Sequence, residues 1–259
     1  MNYFDDELKI IESFQTLNDE EVCFPKESKS AIELYKSIHG VPEWRCWKHS
    51  NGKNDPPPDF YCEQQEIMMD IMRVDDHAYK NDKGQVINRV NAEESIIQNE
   101  LSNTELITHL YNVDNILVNA VTDLPTEKDH NYKYYKNNFK DIVSKHIDKI
   151  PLYNNNHPNY KVVLFVCDES SAYFKSFNNR QVDKKSEIID KPHLFFADDD
   201  LVKVFINSQI DFLIWFAPFK LLQTTEGVIP LPKAIIYDLE VANINTIKYE
   251  EDMMVSSEL

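Results

Sequence analysis

The chain has 259 residues and carries 44 acidic against 27 basic side chains, a formal net charge of −17 with histidine neutral. Apolar residues make up 42% and aromatics 12%, which is enough for a buried core and argues against a disordered polymer. Only four glycines occur, at 40, 52, 84 and 227, and none lie close enough together for a Walker loop, a Rossmann turn or a G-x-S-x-G elbow.

From the N-terminus, Leu8, Ile11, Phe14 and Leu17 step along residues 5–17 as one face of an amphipathic helix. A second helix is expected over 28–39, ended by Gly40 and Pro42. Residues 41–60 hold Asn51-Gly52 and then Pro56-Pro57-Pro58, so an ordered loop is expected there, with a short strand near 43–49. Ile67, Met68, Ile71 and Met72 fit a helix face, and residues 64–75 are expected to be helical, although a strand ending at Val74 fits the same residues. A turn at Asn81 to Gly84 precedes a strongly periodic helix over 92–110.

Alternation and β-branched residues then take over. Strands are expected over 114–122, 161–167, 212–217 and 234–239, and helices over 132–150 and 198–207. Lys-Val-Val-Leu-Phe-Val-Cys at 161–167 is the clearest strand. The order predicts an α/β (or α+β) chain: a helix-rich N-terminal part, then alternating helices and strands forming a mixed or parallel central sheet. Residues 1–90 read as a helical or α+β region carrying the Pro-rich loop 41–60, and 91–259 as an α/β domain. One continuous domain fits the same pattern.

The first residues lack a basic segment followed by an apolar one, and no apolar run approaches the ~18 residues of a membrane span. Cys23, Cys46, Cys62 and Cys167 form no C-x-x-C pair, so reduced thiols and a cytoplasmic location are expected, with no membrane partner. Abundant Asn with scarce Gly points to an A/T-rich coding sequence and so to a bacterial or phage source. Basic charge gathers in two islands. Six lysines stand against three aspartates over 128–149, and Lys175, Arg180, Lys184 and Lys185 stand against Asp183 over 175–185.

Several residues are candidates for chemistry. Pro58-Asp59 followed by Asp70 matches the carboxylate spacing of restriction-type nucleases of the PD-(D/E)XK class, whose two acids bind a divalent metal. The lysine of that pattern is replaced here by Met72. Asp168 and Glu169 follow directly on the 161–167 strand, at the strand end where open α/β sheets bind ligands. A helix cap starting near Ser171 explains the same residues. Asp198 is expected to cap the helix after it, and His193 to be a satisfied histidine. Cys46-x-x-His49 with Cys62 has the look of a zinc site, but needs a fourth ligand from Cys23 or His77. Lysines and tyrosines alternate over 130–140, as single-stranded nucleic acid would require. Spaced helically, however, Tyr132, Tyr135, Phe139 and Val143 form an apolar face with Lys133, Lys136 and Lys140 on a solvated one. Lys220 reaches Asp168 if the strands that precede the two residues are neighbours.

Two functions follow. The first is an acidic interaction or inhibitor protein of the immunity or anti-defence kind, binding a basic protein partner without a cofactor. Nucleic acid enters this reading only through the basic islands 128–149 and 175–185. The second is a divalent-metal-dependent nuclease or phosphodiesterase. It would use Asp168, Glu169, Asp70 and Asp59 as catalytic carboxylates, with Mg²⁺ or Mn²⁺ on Asp59, Asp70 and Asp168.

Overall fold

The computed structural model describes residues 7–50, 58–103, 123–175, 192–206, 208–224, 227–229 and 231–258. Among the described residues, seven helices run α1 Glu7–Gln15, α2 Lys29–His39, α3 Val41–Trp44, α4 Arg89–Asn103, α5 Tyr132–Ile147, α6 Ile150–Asn156 and α7 Asp199–Val202. The strands in the N-terminal third are β1 Val22–Cys23, β2 Lys48–His49, β3 Phe60–Cys62, β4 Ile67–Val74, β5 Tyr79–Lys80 and β6 Val86–Ile87. Those that follow are β7 Lys161–Asp168, β8 Tyr173–Lys175, β9 Phe212–Phe216, β10 Leu222–Thr224, β11 Gly227–Ile229, β12 Ala234–Asp238 and β13 Met254–Ser256.

A seven-stranded mixed sheet, in the order β1-β12-β9-β7-β4-β3-β2, makes the chain α/β. At its centre β4, β7 and β9 run parallel, Val74 opposite Asp168 and Cys167 opposite Phe216. Strand β3 is antiparallel to β4 and β12 antiparallel to β9. Residues 1–90 thus supply four strands to the same sheet as the later residues.

Both faces of the sheet are covered. Met68, Met72, Leu164, Val166, Leu213, Trp215 and Tyr237 pack beneath Tyr135, Phe139 and Val143 of α5. Their neighbours Met69, Ile71, Val163, Phe165, Ile214, Phe216 and Ile236 face Ile11 and Phe14 of α1 and Leu34 and Ile38 of α2. Phe14 meets Phe165 and Phe216 edge to face, with ring centroids 5.3 and 5.6 Å apart. Such a sheet has no polar face, so its central strands read as unbroken apolar runs.

Several expectations are corrected here. Residues 64–75 are not a helix; the strand β4 occupies 67–74 because its side chains are buried on both faces. No helix begins near Ser171, since β8 follows and pairs with β13. Pro42 does not simply end α2 but opens the short α3, a position where its missing N–H costs nothing. Ser28 caps α2 and Asp198 caps α7, each accepting a bond from a backbone N–H. The expected helix over 198–207 shortens to α7 and the turns after it. Gly84 takes a φ of +75° in the turn between β5 and β6, a conformation that suits glycine. The expected strand 114–122 lies outside the described residues, as does the end of the helix expected over 92–110.

Candidate functional site

Because β4, β7 and β9 are parallel, their carboxyl ends share one edge of the sheet, the place where α/β folds hold ligands. A cleft of about 780 Å³ opens there, with Arg73, Asp75, His77, Asn88, Asn138 and Glu169 in its wall. Arg73 donates from Nε and Nη2 to Glu169 Oε2 at 3.1 and 2.6 Å. The other oxygen of Glu169, Oε1, is buried with no hydrogen-bond partner. Burial raises the Glu169 carboxyl above its ordinary value and outweighs Arg73. Burial likewise raises Asp75, although Asn88 Nδ2 donates to both of its oxygens. Two carboxyls raised by burial therefore line one cleft.

Beside the cleft, Asp76, His77 and His130 each offer a ligand atom, and the three atoms lie within 4.8 Å of one another. Asp76 and His77 follow β4, while His130 precedes α5. Asp76 is fully buried; its Oδ2 accepts from Ser171 N at 3.0 Å, Ser171 Oγ at 2.5 Å and Tyr173 OH at 2.6 Å. Its Oδ1 faces His130 Nδ1 at 3.2 Å. His77 Nδ1 stands 3.2 Å from Asp129 Oδ1, and His130 Nε2 stands 3.5 Å from Glu258 Oε2. The hydrogen bond to Asp129 raises the His77 pKa, and that to Asp76 raises His130, each against burial. Burial would lift the Asp76 carboxyl, but the bonds from His130, Ser171 and Tyr173 hold it well below its ordinary value. Carboxylates that fix histidines in this way are the usual outer support of metal ligands. None of these three residues was singled out as a metal ligand from sequence apart from His77 as a distant zinc donor. The available signal was a repeated Asp-His dipeptide, at 76–77 and at 129–130.

The carboxylates singled out from sequence fall in three separate places. Asp168 lies at the core: Tyr135 OH and Trp215 Nε1 donate to Oδ2 at 2.7 and 3.0 Å, and Ser170 N and Oγ donate to Oδ1 at 3.1 and 2.6 Å. Lys220 Nζ, also buried, sits 3.3 Å from Asp168 and 2.5 Å from Ser170 Oγ, and lies over the rings of Tyr135 and Phe195. Lys220 thus reaches Asp168 as the neighbouring strands allow. With its oxygens filled by protein donors, Asp168 anchors the core. Ser170 is locked between Asp168 and Lys220, and Cys167 is buried, its thiol pushed well up by burial.

Asp59 and Asp70 do come together, across the start of the β3–β4 ladder. Asp59 Oδ2 accepts from Ile71 N at 2.7 Å. Burial, and then the charge of Asp70, raise the Asp59 carboxyl to about 7. Asp70 is buried on the α5 face, 2.5 Å from His146 Nδ1. Met72 in the lysine position is buried under α5. Asp168 lies opposite Val74, four residues along β4 from Asp70, or roughly 13 Å away at ~3.3 Å per residue. Asp59, Asp70 and Asp168 therefore do not share one ion.

Three of the six lysines of the basic island 128–149 are paired with acids of the chain. Lys136 is buried and pairs with Asp200 and Glu251, Lys140 with Asp200 and Lys133 with Glu251. Tyr132, Tyr135, Phe139 and Val143 form the apolar face of α5 as the helical spacing predicts. Of the island 175–185 only Lys175 is among the described residues, and it pairs with Glu250. His193 is fully buried against Asp198 at 2.7 Å, a satisfied histidine as expected. No helix among the described residues is long and apolar enough to cross a membrane. No protein-family model, curated protein or solved structure matches the chain.

Proposed function

We propose that the protein is a divalent-metal-dependent hydrolase of phosphate esters, with its ion on Asp76, His77 and His130 at the wall of the cleft. The observation that carries this reading is the convergence of three ligand atoms whose side chains are each held from behind: Asp76 by Ser171 and Tyr173, His77 by Asp129, His130 by Glu258. Two imidazoles with one carboxylate suit Zn²⁺ or Mn²⁺ better than Mg²⁺, which prefers oxygen. The bound ion would polarise a phosphoryl oxygen and lower the pKa of its water. Glu169, in the wall of the same cleft as His77, would take the proton of that water and return it to the leaving alkoxide. Arg73 beside it supplies positive charge for a phosphate.

The test is thermal unfolding in EDTA and then in Zn²⁺ or Mn²⁺, with hydrolysis of bis(p-nitrophenyl) phosphate under the same conditions. An ion at 100 times its Kd stabilises by about 2.7 kcal/mol, a rise in Tm of roughly 5–10 °C for a chain of this length. His77→Gln abolishes the rise while leaving the core untouched. A Tm indifferent to both ions, with no hydrolysis, overturns the reading.

A second reading, an acidic protein that engages a basic protein partner, draws support from the ion pairs. Arg89 is held by Glu93 and Asp129, Lys233 by Glu21, and Lys133, Lys136 and Lys140 of α5 by Asp200 and Glu251. With those bases neutralised, the acidic surplus of the sequence faces outward, which favours steering toward a positive surface. Metal-independent binding of a basic protein, weakening steeply between 50 and 200 mM salt on the scale of a ~10 Å Debye length, is its expected signature.

A further inference from the structure

At the sheet edge opposite β1, two sulfurs meet. Cys46 Sγ and Cys62 Sγ lie 2.9 Å apart, both as free thiols. Cys62 belongs to β3 and is fully buried, whereas Cys46 follows α3 and is half-buried, which makes it the more accessible of the two. The two are 16 residues apart in the chain. We infer that Cys46 and Cys62 are a site of reversible intramolecular disulfide formation by exchange with a low-molecular-weight disulfide.

The geometry favours closure over any other fate of these thiols. An S–S bond is about 2.05 Å long, so the sulfurs need approach by only about 0.9 Å. A zinc site, the other use of Cys46 with Cys62, lacks ligands, since the only group of three or more metal-binding side chains among the described residues is Asp76, His77 and His130. Cys23 lies on β1 at the other edge of the sheet, and Cys167 in the central strand β7. In the first step Cys46 thiolate attacks one sulfur of the small disulfide, forming a mixed disulfide and releasing one thiol. Cys62 then attacks the Cys46 sulfur and releases the second. The protein loses two protons and two electrons, and the small disulfide gains them as two thiols. Burial, then Cys62, push the Cys46 thiol up to about 12, so exchange is slow at neutral pH and quickens as pH rises.

The experiment incubates the native protein with oxidised glutathione at pH 8.5 overnight, then unfolds it and counts free thiols by alkylation and intact mass. Four free thiols fall to two, the mass drops by about 2 Da as two protons leave, and digestion yields one peptide pair joined through Cys46 and Cys62. Dithiothreitol restores four. Closing this loop raises Tm by about 6–12 °C. Cys46→Ser, at the half-buried position, retains the fold and keeps its three thiols, whereas Cys23→Ser still forms the bond. Four thiols still free after oxidation, glutathione lodged on Cys46 without closure, or a bond through Cys23 or Cys167 each overturn the proposal.

Discussion

Asp129 Oδ1 lies 3.2 Å from His77 Nδ1 across 52 residues of chain. The same carboxylate accepts from Ala78 N at 2.8 Å and from Arg89 Nε at 2.7 Å. Asp129 therefore fixes the ring of His77 and the backbone beside it at once, leaving Nε2 as the nitrogen available to an ion. Asp129→Asn keeps the size of the side chain but loses the charge, and is expected to weaken Zn²⁺ or Mn²⁺ binding by about 10–100-fold. Titration calorimetry on the two proteins measures it; equal affinities would remove His77 from the coordination sphere.

The Asp76–His130 pair sets a pH window. Asp76 is depressed below its ordinary 3.8, so its contribution is present above that value and is lost as pH falls through the depressed one. His130 is raised above 6.5, so its contribution is full below 6.5 and is lost as pH rises through the raised value. The pair thus stabilises most between about 4 and 6.5. The unfolding free energies of the metal-free protein and of His130→Gln, from urea titrations, should differ by on the order of 1–2 kcal/mol at pH 5.5, with the gap shrinking by pH 8.5. A gap that widens with pH would contradict the ion pair.

Metal should reverse that dependence. Binding to His77 and His130 requires their neutral rings, both now raised by carboxylate partners. Affinity is therefore expected to climb as pH rises from 5.5 to 8, with protons released on binding. Calorimetry in buffers of different ionisation enthalpy counts those protons directly, and a count of zero at pH 6 would exclude both histidines as ligands.

Asp59, raised to about 7 by burial and by Asp70, behaves oppositely to an ordinary carboxylate. Its folded pKa exceeds the unfolded one, so its contribution is full below about 4 and is lost as pH climbs toward 7. Asp59→Asn can still accept from Ile71 N and carries no charge. It should stabilise the protein by on the order of 1–3 kcal/mol at pH 7.5 and change little at pH 4, as read from urea midpoints at the two pH values.

Lys220 and Asp168 test the division between core and cleft. Lys220→Met leaves the Asp168 charge buried and unpaired, and is expected to cost about 3–5 kcal/mol in unfolding free energy. The double variant Lys220→Met with Asp168→Asn should recover much of that loss. Metal affinity should be unchanged in the double variant, because Asp168 is not among the ligands of the Asp76 cluster. A lost metal response there would return Asp168 to the site.

The strands at 161, 212 and 234 were legible because β-branched and aromatic residues crowd together between turn signals. Strand β4 was not, for a physical reason: Met68, Met69, Ile71 and Met72 are all buried, so the alternation that marks a half-exposed strand is absent and methionine, a good helix former, fills the gap. A helix there also conflicts with the Asp59–Asp70 pairing read from the sequence, which needs Asp70 on a strand beside β3. Lys220 beside Asp168 could be anticipated from the chain. The Asp76 cluster could not, since its ligands come from the end of β4 and from the residues before α5, some 50 positions apart, and only the fold brings them together.

The order of strands in the sheet also has a temporal side. The central pair β4 and β7 begin 94 residues apart, at Ile67 and Lys161, and β12, which pairs with β1, starts 212 residues after it. Contacts this distant along the chain must close large loops before they return any stability, which slows folding. On the ribosome, β1 to β4 emerge with their apolar faces uncovered and wait for most of the chain before β7, β9 and β12 complete the sheet. The N-terminal third is then the stretch most in need of a chaperone during synthesis.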